Sequence, residues 1–478
     1  MKEIVYIAVG ELRYWLRSHL ALGGSLVFLM LISITSILTT GHINAENNAR
    51  VQQQKNAEDT FLTQPDRHPH RMVHYGHYVF RSPPPLATFD PGLDAITGQS
   101  IFLEGHRQNT AMFAESGASA DLGGLPWLSP ALVYQLFAPL IIILLGHGAI
   151  AREREAALLT PILSLGVSGY SLVLGKALAL LIFIIIIMIP LMVTCTIAVF
   201  KRADPIAAGL LFCVYLLYLI VWGIMTLCVS SILHKRSTVL AVLSSCWFIF
   251  NLALPSLAVN FVTYTTPLSG KIETDLTLLA DLHKVGDGHN INDPAFGQLR
   301  EQLLKKYNAQ SLADLPVNFR GIVAIEGERK LTNVLNSYAA RRMAGERQQS
   351  QQLANYGWLT PTLAITFISR SIAGTDLANY HRFQKEAEAL RFSFVQKLNH
   401  AHAEQLSYSD DIQRNKDEAS GLKARINASN WKSLDSYHFK KSILSDRVKS
   451  AFYSFNILLT WFFAMCIMLF LCARGINS

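Results

Sequence analysis

Four histidines fall in one short run, His68, His70, His74 and His77, with Arg71 and Tyr75 interleaved. HxH and HxxH spacings can bind a soft metal ion. No Cys or carboxylate accompanies them in the run, so the plainer expectation is a packed or solvated loop with no metal. The four are the candidate ligands should one bind. Asp410–Asp411 and Glu386/Glu388 read as solvated helix faces. No Ser-His-Asp or HExxH arrangement occurs, so hydrolase chemistry is not expected. Gly175–Lys176 and Gly270–Lys271 come nearest to a phosphate loop. Neither is followed by Ser or Thr, and neither has the upstream glycine at P-loop spacing. The chain is therefore expected to carry no nucleotide site or other cofactor, and not to be an enzyme by itself.

The elements that would position these residues follow from composition. Of 478 residues, 51% are hydrophobic and 16% charged, against roughly 25% charged in soluble domains. The apolar residues are concentrated in long runs, which marks a polytopic membrane protein. The net charge of +8 is spread through the hydrophilic segments without a dense basic block, so nucleic acid is not an expected partner. Cys195, Cys213, Cys228, Cys246, Cys466 and Cys472 all lie in apolar runs. The hydrophilic regions therefore hold no disulfide, even in an oxidising compartment.

Read in order, residues 1–20 form an amphipathic interfacial helix, with Ile4, Val5, Ala8, Leu12, Trp15 and Leu16 on one face. Apolar spans are predicted at 21–40, 130–150, 177–199 (kinked at Pro190), 206–232, 238–263 and 452–473. Two hydrophilic inserts interrupt them, at 41–129 and 264–451. The first opens helically at Asn44–Phe61 and then turns irregular around Pro83–Pro85. The second carries helical patterns at Glu326–Leu353 and Tyr380–Ala401. Between these lies Tyr356–Gly374, apolar except for Arg370 and broken by Pro361. It is expected not to span, but to lie on the outer membrane surface or under the outer domain. The fold class is thus all-α, with six transmembrane helices and a large, mainly helical domain built from the two inserts.

Residues 151–176, AREREAALLTPILSLGVSGYSLVLGK, separate the second and third spans. A charged run such as Arg152, Glu153, Arg154 and Glu155 cannot continue through hydrocarbon, where a central charge costs at least roughly 2.5–3.5 kcal/mol. Leu158, Leu159, Ile162, Leu163 and Leu165 recur at near-helical spacing, and Gly166, Ser168 and Gly169 break the helix. The result is an elbow: a charged exit, a short amphipathic helix, and a Gly-Lys re-entry. It resembles the coupling region of type-2 ABC-transporter permeases. The matching residues are Glu153, Arg154, Glu155, Leu163, Ser164, Gly166, Val167, Ser168, Leu174, Gly175 and Lys176; the departure is Ala156–Ala157–Leu158, where the family more often has Gly-Thr-Leu. His74–Asn109, Leu315–Glu328 and Leu359–Arg391 resemble a subfamily of these permeases with a two-part extracytoplasmic domain.

The resemblance implies the membrane subunit of an ABC exporter. Two ATPase subunits would hold ATP and Mg, and a second permease subunit, identical or related, would complete the path. The elbow residues Arg152–Glu155, Leu159, Leu163, Ser164, Val167, Ser168, Gly175 and Lys176 would then couple to the ATPase, with Leu163 filling its groove. Lys2, Arg13, Arg17 and Arg474 share the elbow's side. This side would be the cytoplasm of a bacterial inner membrane, placing the inserts in the periplasm. Asp90, His106, Arg107, Asn109, Glu326, Asp376 and His381 match the subfamily's polar positions. They are expected to join the inserts by hydrogen bonds rather than to touch substrate. The substrate would be amphipathic or apolar, since the spans carry few charges. Two alternatives stand beside export: a transmission machine acting on a periplasmic partner, and a metalloenzyme resting on the histidines alone.

Overall fold

The computed structural model describes residues 2–112, 128–286, 290–434, 436–440 and 442–476. The end of the first insert, at 113–127, lies outside the described residues. Helix α1 (Lys2–Arg17) is amphipathic, as its pattern predicts, and buries Ala8 and Trp15. Glu11 shares that buried face. α2 (Leu20–Leu62) joins the first span and the polar Asn44–Phe61 run into one unbroken helix.

The chain then turns through α3 (Pro69–Tyr75), closed by Gly76 at φ 58°. Here a Cβ would lie 2.3 Å from the Leu103 carbonyl oxygen, so only glycine fits. A two-stranded antiparallel hairpin follows, β1 (His77–Phe80) with β2 (Ser100–Leu103), pairing His77 with Leu103 and Phe80 with Ser100. These strands depart from the all-α expectation.

Ser129 caps α4 (Pro130–Gly146) by accepting from the Leu132 amide at 3.2 Å. Across the elbow run α5 (Ala151–Glu155) and α6 (Leu159–Ser164). α7 (Gly169–Ile187) then enters the bundle and gives way at Pro190 to α8 (Ile189–Phe200). Asp204 caps α9 (Pro205–Ile232) through the Ile206 amide at 2.8 Å. α10 (Arg236–Phe248) and α11 (Leu254–Thr265) are joined by a π-turn at Ile249–Ala253. Among the described residues six helical segments are long and apolar enough to cross a membrane: α2, α4–α5, α7–α8, α9, α10–α11, and α19 (Leu444–Ile476), which closes the chain. The protein is mainly helical and membrane-embedded.

The second insert contributes α12 (Lys271–Val285), α13 (Gly297–Tyr307), α14 (Phe319–Asn355), α15 (Pro361–Ala373), α16 (Leu377–Gln405), α17 (Tyr408–Gln413) and α18 (Glu418–Lys423). It shares one hydrophobic core with the first insert, in which Phe61, Met72, Val73, Val79 and Leu103 pack with Phe383, Phe394, Leu398 and Trp431. The two inserts thus form one domain.

Of the two placements expected for the Tyr356–Gly374 segment, the membrane surface does not hold for α15: Ala364, Ile365, Ile368 and Ala373 are buried in the same core as α4, α9 and α19, and Ser369 and Thr375 bond to Asp90 of the first insert. The turn before it, Tyr356–Trp358, meets α19 and the π-turn between α10 and α11 near the middle of each helical segment. The Gly357 carbonyl accepts from Trp461 Nε1 at 2.9 Å, and Thr360 Oγ1 donates to the Phe250 carbonyl at 2.6 Å. α14 and α15 form a hairpin that descends into the bundle and returns. An apolar helix with one arginine near its end is cheapest when buried, and irregular backbone at this depth is tolerated only inside protein.

Candidate functional site

The elbow is held to the bundle by four buried or half-buried charges of balanced sign. Lys176 Nζ lies 2.6 Å from Glu11 Oε2 and 2.5 Å from Glu153 Oε1, and Arg152 Nη2 lies 2.7 Å from Glu11 Oε2. Lys176 and Glu11 are 4% and 1% exposed at their side chains, so these contacts are little screened. Gly175 explains the residue before Lys176. A Cβ there would lie 2.6 Å from Ile7 Cβ, so its absence lets α1 press onto α7. The Gly-Lys pair is therefore a docking device for α1. Lys176 is engaged by two carboxylates inside a helix, and does not fit a phosphate loop.

Two further ties fix the elbow. Arg154 donates to the Leu233 carbonyl at 3.2 Å, and Glu155 pairs with Arg236 Nε at 3.0 Å. Ser168 caps α7 through the Ser171 amide at 3.0 Å. Leu159 and Leu163 turn inward, packing against Ile150, Val173 and Ile476, so Leu163 does not project from the chain. The large apolar side chains between α5 and α7 that do project are Leu158 and Leu165, 53% and 85% exposed. Val167 is half-buried, and Ser164 is exposed with its hydroxyl bonded to the Thr160 carbonyl at 2.9 Å.

At the other end of the bundle, α11, α14, α15 and α19 border an open cavity of about 910 Å³. Val262, Phe367 and Tyr453 supply apolar wall; Arg347, Arg370 and Asp376 supply charge. Below it a buried polar chain threads the bundle. Asp90 accepts from Ser369, Tyr215 donates to Ser369 at 3.0 Å, and Gln135 donates to Tyr215 at 2.8 Å. Tyr218 donates to the Gln135 carbonyl at 2.8 Å, and Thr362 to Asn251 at 2.8 Å. Asn251 sits in the π-turn of the fifth span, a local geometry recurrent at functional positions. Burial pushes the Asp90 carboxyl up, against Arg370 and the Ser369 hydrogen bond.

The polar positions singled out from sequence divide. Asp90 and His106 bridge the inserts: the Asp90 carbonyl accepts from Thr375 at 3.0 Å, and His106 Nδ1 lies 3.0 Å from Glu328 Oε2. Asn109 bonds within its own insert, to the Phe102 carbonyl at 3.0 Å. Asp376 caps α16 through the Asn379 amide at 3.0 Å, and His381 lies 2.5 Å from Glu346. Glu326 pairs locally with Arg329, and Arg107 is exposed. The bridging carboxylate is instead Glu328, two residues on, which is fully buried and 2.5 Å from Arg391 Nη1. Burial would raise its pKa; the His106 hydrogen bond and the Arg391 charge outweigh this and hold it at about 2. Burial of Arg391 against Glu328 and Glu388 was not legible, since alternating charge along a helix usually marks a solvated face.

Two expectations of solvated carboxylates fail for the same reason. Glu388 is buried against Arg391 at 2.8 Å. Asp411 is fully buried, accepting from Asn318 at 3.1 Å, facing His68 at 3.1 Å and His402 at 2.7 Å, and paired with Arg414. Burial opposes its ionisation, but the hydrogen bonds from His402 and His68 hold it well below the usual carboxylate range. The four histidines do not converge on one point. His68 joins Asp411, and His77 is buried between Phe61 and Phe394, ring centroids 5.7 and 5.8 Å away. His70 and His74 stand closest, with ring centroids 4.6 Å apart, against 6.5 Å for His68 and His70.

A family profile described as "Domain of unknown function (DUF3526)" matches residues 271–440, which run from the start of α12 to just before α19. No curated protein matches the chain.

Proposed function

We propose that this chain is the membrane subunit of an ATP-driven ABC exporter of the type-2 permease kind. Two copies of a separate ATPase subunit, holding ATP and Mg, would energise it in a bacterial inner membrane. A second permease subunit, identical or related, would face it across the path. The elbow and both termini would be cytoplasmic, and the insert domain periplasmic. The observation that carries this reading is the elbow. α5 is anchored by the Glu11–Arg152–Lys176–Glu153 cluster and by Glu155–Arg236, while Leu158 and Leu165 project at the two ends of α6, which follows it. Such a part transmits a push to α1, α7 and α10 together. The mixed apolar and charged cavity supports an amphipathic substrate.

Transmission without transport is the second reading, and one observation favours it. α2 runs unbroken from its apolar half into the insert core, where Phe61 is buried. At 1.5 Å rise per residue its 43 residues make a rod of about 65 Å. Engineered cysteines on α4 and α10 of facing subunits separate the two. If cross-linked spans still support ATP turnover and the cellular phenotype, no path opens and export fails. Leu165→Asp and Leu158→Asp test the elbow itself: both should lose co-purification of the ATPase while membrane insertion persists. Retention of the complex in both variants would sink the ATPase-coupling reading.

A further inference from the structure

We propose that His70, His74 and His106 form a binding site for a divalent transition ion of the zinc and copper(II) class. It lies on the insert domain and does not depend on the export reading. His70 and His74 stand one turn apart on α3, with ring centroids 4.6 Å apart. His106 comes from the loop after β2, its ring 5.3 Å from His74 and 5.9 Å from His70. One ring nitrogen from each lies within 4.8 Å of the others. Three such nitrogens share a centre no more than about 2.8 Å from each, about 0.7 Å beyond a zinc–imidazole bond. Small side-chain rotations close that gap.

The third ligand is delivered by backbone, not by chance. The Gly105 amide donates to the Val73 carbonyl at 3.0 Å, tying the loop to α3. A Cβ at Gly105 would lie 2.1 Å from Val73 Cγ1, so only glycine passes so close. His106 itself adopts φ 64°, which is uncommon outside glycine and places its ring beside α3.

Behind the cluster stands an orienting carboxylate. Glu328 Oε2 lies 3.0 Å from His106 Nδ1, and Glu328 is fixed by Arg391 at 2.5 Å and Thr332 at 3.1 Å. A carboxylate on one ring nitrogen sets the tautomer and makes the other a better ligand, the arrangement recurrent in metal sites. An all-imidazole set without thiolate suits zinc, copper(II) or nickel rather than calcium or magnesium. His74 is exposed and His70 and His106 are half-buried, which leaves an entry path and room for a water ligand. The neighbouring triad of His68, His402 and Asp411 is different. Arg414 already pairs with Asp411, and Arg320 lies 3.7 Å from it, so a cation there would be repelled.

The test uses the full chain in detergent, purified on a tag without histidine, stripped by a chelator and titrated with ZnCl2 and CuCl2. One ion per chain is expected, with Kd on the order of 1 μM or tighter. Replacing the exposed His74 (H74A), which leaves the core intact, should weaken binding at least tenfold. H106N, whose side chain tolerates the positive φ, should do the same, and E328Q should weaken it roughly 10- to 100-fold. H400A, on the exposed face of α16, should leave it unchanged. Cobalt(II) should give the visible absorption of a low-coordinate site in the wild type and lose it in H74A. Absence of stoichiometric binding, or binding that H74A and H106N leave unaltered, overturns the proposal.

Discussion

The charge cluster under the elbow can be broken in a way that separates ionic coupling from simple packing. Four side chains, Glu11, Glu153, Arg152 and Lys176, carry zero net charge between them, with three N···O contacts of 2.5–2.7 Å. Glu11→Gln removes one charge while keeping the shape. Lys176 and Arg152 then share only Glu153, which already stands 3.9 Å from Arg152. One cation is left uncompensated at a site where Lys176 is 4% exposed. Breaking one partner of a buried pair costs about 3–5 kcal/mol. Arg152 is the more exposed partner, at 21%, and can relax toward water, so the expected loss is about 3 kcal/mol. Lys176→Met alone strands Glu11 less, because Arg152 remains at 2.7 Å, and should cost about 2 kcal/mol. The double variant restores neutrality with Arg152 and Glu153 alone. It should be no less stable than Glu11→Gln, so the coupling energy is about 2 kcal/mol. The assay is the denaturation midpoint of the purified chain in one detergent, for all four members of the cycle. Losses that add to within about 0.5 kcal/mol would show that the charges do not interact, and would refute the account of how α1 is tied to the elbow.

Three further outcomes follow from the same geometry. The isolated chain should neither bind nor hydrolyse ATP, because Lys176 is committed to two carboxylates; tight nucleotide binding measured by equilibrium dialysis would contradict this. His77 is held by burial at about 4, below its ordinary 6.5, so it folds neutral. Stability is then full above pH 6.5 and falls as pH drops toward 4, by up to about 3 kcal/mol. His77→Phe, which completes the aromatic contact with Phe61 and Phe394, should remove that part of the acid sensitivity in pH-dependent unfolding; an unchanged pH profile would be fatal to this explanation. Cysteines at Gln349 and Gln384 should react from the same side of the membrane, because α14 and α15 descend and return as a hairpin; labelling from opposite sides would contradict it.

The elements were largely legible in the sequence, and most of their partners were not. Apolar runs long enough to cross hydrocarbon, Pro190 at the α7–α8 break, and the Gly166–Ser168–Gly169 end of the elbow helix declare themselves locally. So do the two long amphipathic helices of the second insert, because periodicity and capping are properties of neighbouring residues. The hairpin of β1 and β2 escaped notice because each strand is four residues long and they are joined by nineteen, too short and too distant for an alternation signal. Tertiary structure alone decided which charges are buried. Glu11, Asp411 and Glu388 look like any surface carboxylate until Lys176, His402 and Arg391 arrive from other turns or other helices. It also decided that α15 enters the bundle, where Trp461 and Phe250 meet its turn. Hydropathy reports that a segment avoids water, but not whether lipid or protein replaces it. Likewise the histidine run gave ligand types at suggestive spacing. Only the Gly105–Val73 contact, which carries His106 across to His70 and His74, decided which of them stand together.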